Sequence, residues 1–427
     1  MSAKSHIHCG KSELDYGQPK MTQADIEHDY TSVLTPKNTI IPGNPMVFHI
    51  ESGSDFVDLS ETVLRVRLRM VDSAGGEVTA TTKAAPVNNI LHSLFSQVSV
   101  SMKETNISHP NPNYAYRAYL ENLLNFSGAS KGSWMANCGY FQDEEGMFDD
   151  PKNPALAKRR DFFVGGKVAE FSARLHTDIN FQQLLVPSNL DVKFTLTPAR
   201  SEFCIQSHEA TKQFKIVIDS AKLIVRKVKL FTTKQLAFEK QIFKDPVRLP
   251  ISQIKVQTIS IPAGMTSFTA NSAFTGLLPS KIIMGLVDNA AYTGTFQSNP
   301  FNFKNFDLSG VQLRVNGRSI PTQPIEPNFT DGHVIPAYET LYKVVGRHMG
   351  DWDNGISPEL YMNGCSLYGF CTTSDTRCPS DDGPIHGVLD IELKFRKALP
   401  KTVTLVLYSE SPSQVIIDHY RNVVVDY

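Results

Sequence analysis

The sequence predicts an all-β protein made of two tandem β-sandwiches of jelly-roll type, with short helices in the connecting loops. Three observations carry that expectation: apolar residues alternating with period two, a segment that occurs twice, and frequent turn residues. Leu64, Val66, Leu68 and Met70 alternate with Arg65, Arg67 and Arg69, the pattern of a half-buried strand. Leu185-Val-Pro-Ser-Asn-Leu-Asp-Val and Ala398-Leu-Pro-Lys-Thr-Val-Thr-Leu align with Pro187 on Pro400, a shift of 400 − 187 = 213 in 427 residues. The 26 glycines and 25 prolines divide the chain into short strands.

The same shift places Val98, Val100, Met102 and Ile107 on Val311, Leu313, Val315 and Ile320. Each copy then passes through a Pro/Asn loop into a tyrosine-rich helical stretch, around Tyr116 and Tyr119 in one half and Tyr338 and Tyr342 in the other. Trp134 and Trp352 follow. Four matches in one order indicate a tandem duplication. About eight strands per half, with a helix-bearing loop after the fourth or fifth, fit a jelly roll. Periodicity alone would serve other Greek-key sandwiches equally.

The 42 basic and 43 acidic residues balance, which argues against holding nucleic acid by bulk charge. No apolar run reaches the ~18–20 residues of a membrane span, and the amino terminus shows no secretory leader. The six cysteines form no CxxC pair, so free thiols in a reducing compartment are expected. The sequons at Asn106, Asn125 and Asn328 are then expected to be unused.

Residues 1–37 read as an amino-terminal arm, ordered against something else or not at all, with a short helix starting at Thr22–Glu27. The first sandwich spans 38–232, with a long insertion at 127–162 read as an exposed loop. In order come strands at Met46–Ile50, Phe56–Met70, Leu91–Met102, Val168–Leu175, 190–196 and 214–228. Phe231-Thr-Thr-Lys-Gln is the crossing into the second sandwich, 233–427, whose insertion covers 346–385. Its strands are expected at 248–251, 255–261, 281–287, Leu389–Phe395 and Val403–Leu407 (these last two paired), then at 414–417 and 423–425.

No catalytic, cofactor or metal site is predicted. Gly165-Gly166-Lys167 lacks the first glycine and the Ser/Thr of a phosphate-binding loop, and no G-x-S-x-G, HExxH or G-x-G-x-x-G is present. His6, His8 and Cys9 would be soft ligands, but on an arm whose ordering opposes binding. Asp143-Glu-Glu145 and Asp149-Asp150 lack the ligand alternation of a calcium loop. Cys365, Cys371 and Cys378 have the wrong spacing for a zinc knuckle, and whether two of them bridge stays open. Asp381-Asp382 reads as a solvated turn. The Arg65–Arg69 stripe is a phosphate-binding candidate, read in preference as the outer face of an amphipathic strand. The four tyrosines are a stacking platform in one reading and a packed helix face in the preferred one.

Phe56-Val-Asp-Leu-Ser-Glu-Thr, Pro86-Val-Asn-Asn-Ile-Leu-His-Ser-Leu-Phe-Ser-Gln-Val, Tyr116-Arg-Ala-Tyr-Leu-Glu and Leu185-Val-Pro-Ser-Asn-Leu-Asp resemble segments of the double jelly-roll major capsid proteins of Polinton/Maverick-type elements and adintoviruses. Lys11-Ser-Glu-Leu-Asp15, Gly285-Leu-Val-Asp-Asn-Ala, Asn299-Pro-Phe-Asn-Phe-Lys, Pro324-Ile-Glu-Pro-Asn-Phe and Arg421-Asn-Val-Val-Val-Asp-Tyr427 are similar too. The resemblance implies upright jelly rolls in a homotrimeric, pseudo-hexameric hexon of an icosahedral virion packaging double-stranded DNA. It also implies a minor penton partner, an outer crown made of the two insertions, and an arm reaching inward or between capsomers. Two other readings are a two-domain jelly-roll enzyme of copper monooxygenase or glycan amidase type, and a particle-displayed carbohydrate-binding protein. The first requires converging histidines or carboxylates; the second requires an exposed aromatic groove. A minor vertex capsid protein would need only one jelly roll.

Overall fold

The computed structural model describes residues 25–108, 112–209, 212–348, 350–372 and 385–426. Strand β3 (Phe56–Asp72) shows how the alternation becomes structure. Leu64, Val66, Leu68 and Met70 are buried, whereas Arg65, Arg67 and Arg69 point outward. The first half also holds β1 (Ile26–Leu34), β2 (Met46–Ile50), β4 (Ala84–Pro86), β5 (Phe95–Met102), β6 (Thr105–Asn106), β7 (Ala169–Arg174), β8 (Val192–Pro198), β9 (Ile205–Ser207) and β10 (Phe214–Leu230). The second holds β11 (Val247–Ile261), β12 (Ser267–Leu277), β13 (Lys281–Asp288), β14 (Leu308–Val315), β15 (Arg318–Ile325), β16 (Leu367–Cys371), β17 (His386–Phe395), β18 (Val403–Ile417) and β19 (Val423–Asp426).

Sheets β1-β10-β3-β7 and β2-β8-β5-β6 form the first half, with the short β4-β9 pair beside them. Sheets β11-β18-β13-β16 and β12-β17-β14-β15 form the second, with β19 added to β18. Numbering the eight main strands of each half in chain order gives the same two sheets twice, 1-8-3-6 and 2-7-4-5. All pairs between these strands are antiparallel. This is the jelly roll, twice. The β14–β15 hairpin turns through Asn316 and Gly317 at φ 49° and 80°, as an Asn-Gly turn requires.

The topology tests the repeat directly. Val98–Met102 and Val311–Val315 lie in β5 and β14, the fourth strand of each half, and the tyrosine-rich helices Tyr114–Asn125 and Ile335–Val345 both follow the fifth. The match of Pro187 to Pro400 is corrected, because it sets β8, a seventh strand, on β18, an eighth. For the same reason β17 and β18 do not pair: they belong to opposite sheets.

Five further expectations are revised. Ile26–Leu34 pairs with β10 along Leu223–Leu230 and is the first strand of the first jelly roll, so Ile26 and Glu27 are strand and not helix. Ile90–Ser93 is a short helix before β5, and Thr232–Lys244 is a helix at the crossing. The region 346–385 contains a helix, Pro358–Met362, and β16, a sixth strand. The region 127–162 is no exposed loop: Met135, Tyr140, Phe148 and Arg159 in it are 0–1% exposed. Residues 1–24, with His6, His8, Cys9 and Thr22, lie outside the described residues, as do Cys378 and Asp381-Asp382.

One hydrophobic cluster runs through both halves, from Met46 to Val423. A jelly roll cut from its neighbour would expose part of that core. Residues 25–246 and 247–427 expressed separately are therefore expected to bind ANS and to lack a sharp thermal transition. A cooperative melt with native near-ultraviolet dichroism from either half would refute the shared core.

Candidate functional site at the seam between the halves

The helix Tyr114–Asn125 is the keystone of the seam, with 11 of its 12 residues buried. Its first-turn neighbour Asn113 donates to the Val256 carbonyl at 3.1 Å and accepts from the Tyr292 hydroxyl at 3.1 Å. Tyr116 donates to the Pro300 carbonyl at 3.0 Å. Tyr119 stacks on Phe301 with centroids 4.2 Å apart and 8° between planes. A pair of this kind adds ~0.5–1.5 kcal/mol beyond its buried area. Tyr116 and Tyr119 are thus packed, not a stacking platform open to ligands. Tyr338 and Tyr342 bond to the Ile356 carbonyl and the Asn354 side chain.

On the same helix, Arg117 Nε donates to Glu121 at 2.9 Å, and its Nη2 lies 2.8 Å from Asp178. Asp178 Oδ1 also accepts the Ile254 amide from β11 at 3.2 Å. His176 Nδ1 is 2.5 Å from Glu121 Oε2. His92 Nδ1 is 3.0 Å from the Tyr114 hydroxyl, and its ring stands edge-on to His176 at 4.6 Å. Burial pushes the Glu121 carboxyl up, but Arg117 and His176 outweigh it and the net shift is downward. At Asp178 burial prevails over Arg117, and the shift is upward. Burial, with the His176 ring second, drives His92 well below the ordinary imidazole value.

A second buried network comes from the 127–162 region. Asp143 accepts from Arg159 at 2.9 Å, Asn153 at 2.8 Å and, across the seam, Asn299 at 3.3 Å. Arg159 also donates to the carbonyls of Pro86 and Phe141. Asp149 takes the Asn299 amide at 2.8 Å, Asn302 at 2.8 Å and Lys304 at 2.9 Å. The acidic run read as non-calcium is thus the mortar of the seam. Lys131, its amine lowered by burial to about 8, donates to the Leu123 carbonyl at 2.5 Å and to that of Asn354. The carboxyl-terminal segment closes the other side: Arg421 donates to the Ser188 carbonyl at 2.8 Å, and Lys103 donates to that of Tyr420 at 2.9 Å.

These clusters hold the halves together and are closed to substrate. Glu121, His176, Asp178 and Asp143 have side chains 0–6% exposed. Among the described residues no group of three or more His, Cys, Asp or Glu is arranged to hold a metal ion. A groove of about 510 Å³ lies between the helix Thr232–Lys244 and the turn at His419, but its charged pair, Glu239 and Arg421, is already joined at 2.5 Å. The arginine stripe is largely matched as well: Arg65 and Arg67 share Glu170, and Arg69 chelates Asp219. Cys365 and Cys371 are free thiols. Glu121, Asp178, His92 and His176 were not singled out from the sequence, and Asp143 and Asp149 were weighed there only as calcium ligands. One signal existed, an Arg117/Glu121 pair at i, i+4 inside an otherwise apolar helix.

Removing Asp143 would leave Arg159 charged, buried and unpaired. Asp143→Ala is expected to cost ~3–5 kcal/mol in urea unfolding, whereas Asp143→Leu with Arg159→Met should recover most of it. Equal losses in both variants would show that the pair does not act as a unit.

No protein-family model matches the chain. The uncharacterized protein F54H12.2 of Caenorhabditis elegans is 26% identical over 423 residues, covering 95% of this chain and 99% of that one. Among solved structures, a chain of the Sputnik virophage aligns with TM-score 0.64 at 11% identity, over 97% of this chain and 91% of that one. The PBCV-1 virus capsid gives TM-score 0.61 at 12% identity over 96% and 99%. The mavirus major capsid protein gives 0.55 at 10% identity over 96% and 91%. At such identities the likeness is one of fold, and both halves share in it: the chain is a double jelly roll, built as these viral capsid chains are built.

Proposed function

We propose that this chain is a viral major capsid protein that works by self-assembly and not by catalysis. One observation carries the reading: the likeness to viral capsid chains extends over both jelly rolls and the seam, across nearly the full length of each partner. The sealed seam supports it, since its ionisable groups are committed to holding two blocks in a fixed relation. In the finer form of the proposal, three copies associate into a hexon. Three chains of two similar blocks give six, so a trimer approximates sixfold packing. Hexons then form an icosahedral virion shell, with a minor penton protein at the vertices. Double-stranded DNA is enclosed without sequence-specific contact, in keeping with the 42 to 43 charge balance. The Polinton/Maverick and adintovirus lineage belongs to the same proposal and rests on the sequence segments quoted above.

Shell contacts of this type are individually small and sum over many copies. Light scattering on the purified protein is expected to give a mass near three times the 47.5 kDa chain, with hexagonal outlines in negative stain. A monomer that persists at high concentration would overturn the capsomer reading.

A further inference from the structure

We propose that His92, Tyr114 and His176 form an acid-release latch, in which proton uptake frees the segment 175–184 and opens the seam to the second jelly roll. The proposal concerns the isolated chain and stands whether or not the chain assembles.

His92 lies on the short helix Ile90–Ser93, is 1% exposed, and meets Tyr114 through Nδ1. Its Nε2 is buried and has no hydrogen-bond partner among the described residues. A proton added there would create a buried donor with nowhere to donate, beside the His176 ring at 4.6 Å. The helix Tyr114–Asn125 supplies Tyr114, Arg117 and Glu121, and the turn after β7 supplies His176 and Asp178. Cys138 reaches Tyr114 from the adjoining short helix, Cys204 donates to the carbonyl of Ser93, and Tyr408 of β18 faces Arg117. Arg117 is the fixed cation of this set, and its two carboxylates are already engaged. A second cation at His92 therefore meets only carboxylates that already pair with Arg117.

The release path follows from the same contacts. The Tyr114 hydroxyl also accepts the backbone amide of His176 at 3.2 Å, so losing Tyr114 loosens the turn that carries His176 and Asp178. Asp178 is the acceptor for Ile254 of the second jelly roll. Beyond it, Phe181 and Leu184 are 44% and 50% exposed, so the end of the segment is open to solvent. The sign is settled by linkage. His92 is held neutral in the folded chain, whereas an unfolded histidine binds its proton near pH ~6.5. The stabilisation is complete above that value and is lost as pH falls, by up to ~tenfold in the closed-to-open ratio per pH unit for one proton. Glu121 is shifted down and Asp178 up, and both pair with Arg117.

Hydrogen exchange read at Ile254 and across 175–184, corrected for intrinsic rates, tests the latch on the full chain. Between about pH 7.5 and about pH 5.5 the wild type is expected to lose protection by up to roughly tenfold, the limit for one proton taken up near pH ~6.5 in the open state. His92→Asn, whose carboxamide can keep a hydrogen bond to the Tyr114 hydroxyl and which cannot be charged, should flatten that dependence while remaining closed at neutral pH. Unchanged wild-type protection across the interval overturns the proposal without reference to any variant. An equal pH slope in wild type and His92→Asn overturns it too, because the proton would then be binding elsewhere.

Discussion

The structure depends on one constraint: polar groups removed from water in the first jelly roll find their partners in the second. Tyr116 reaches Pro300, Asp178 receives Ile254, and Asp143 and Asp149 both engage Asn299. Each such group costs ~1–3 kcal/mol if left unmatched, and more where it is charged. Apolar packing alone would tolerate a slide of one sandwich over the other. Directional bonds to single backbone amides and carbonyls do not, so the seam fixes orientation as well as contact.

In the proposed capsid role that fixity would matter. A shell accumulates angular errors over many copies, and a hinge between the two jelly rolls would let each subunit close at its own angle. Three independent features remove the hinge here. The keystone helix is buried on nearly all sides, the 127–162 region is wedged against Asn299 and Asn354, and the carboxyl-terminal segment returns to the first half through Lys103 and Ser188. The crossing is itself the helix Thr232–Lys244, whose Phe238 packs edge-on against Phe56 at 5.0 Å. Connection and seam therefore share the restraint.

Strands were legible where burial alternates strictly. β3 stands where period two placed it, β5 does so from Phe95 onward, β13 stands where a near-continuous apolar run placed it, and the repeat was read correctly through its fourth strands, β5 and β14. It was misread through Pro187 and Pro400 because alternation has no memory of strand order: any turn followed by three alternating apolar residues matches any other. β1 escaped notice because its sequence, Ile-Glu-His-Asp-Tyr-Thr-Ser-Val-Leu, is held at a sheet edge by backbone pairing and buries little. The helix at the crossing was missed for a related reason, since Ile242 is its only buried residue. The 127–162 region failed in the opposite sense. Its glycines, serines and charges look solvated, yet Arg159 and Asp143 are interior because they satisfy one another. Composition reports the polarity of a side chain; it does not report whether that polarity has been matched.

The two halves share a topology without sharing a role. The helix Tyr114–Asn125 buries 11 residues, whereas its counterpart Ile335–Val345 buries only Ala337, Leu341 and Val344. Two identical copies associating about a twofold axis must present the same surface to each other, so each would need to be both wedge and socket. Fusion in one chain lifts that requirement. One copy of the post-fifth-strand segment became the wedge, carrying Tyr116, Tyr119 and the buried ions. The other half supplies the socket, lined by Phe301, Asn299 and the β11 backbone. The strand order is the same in both halves, whereas the seam differs. Two joined halves thus meet two demands that identical copies meet only by compromise: a strand order that repeats and an inner joint that is not symmetric.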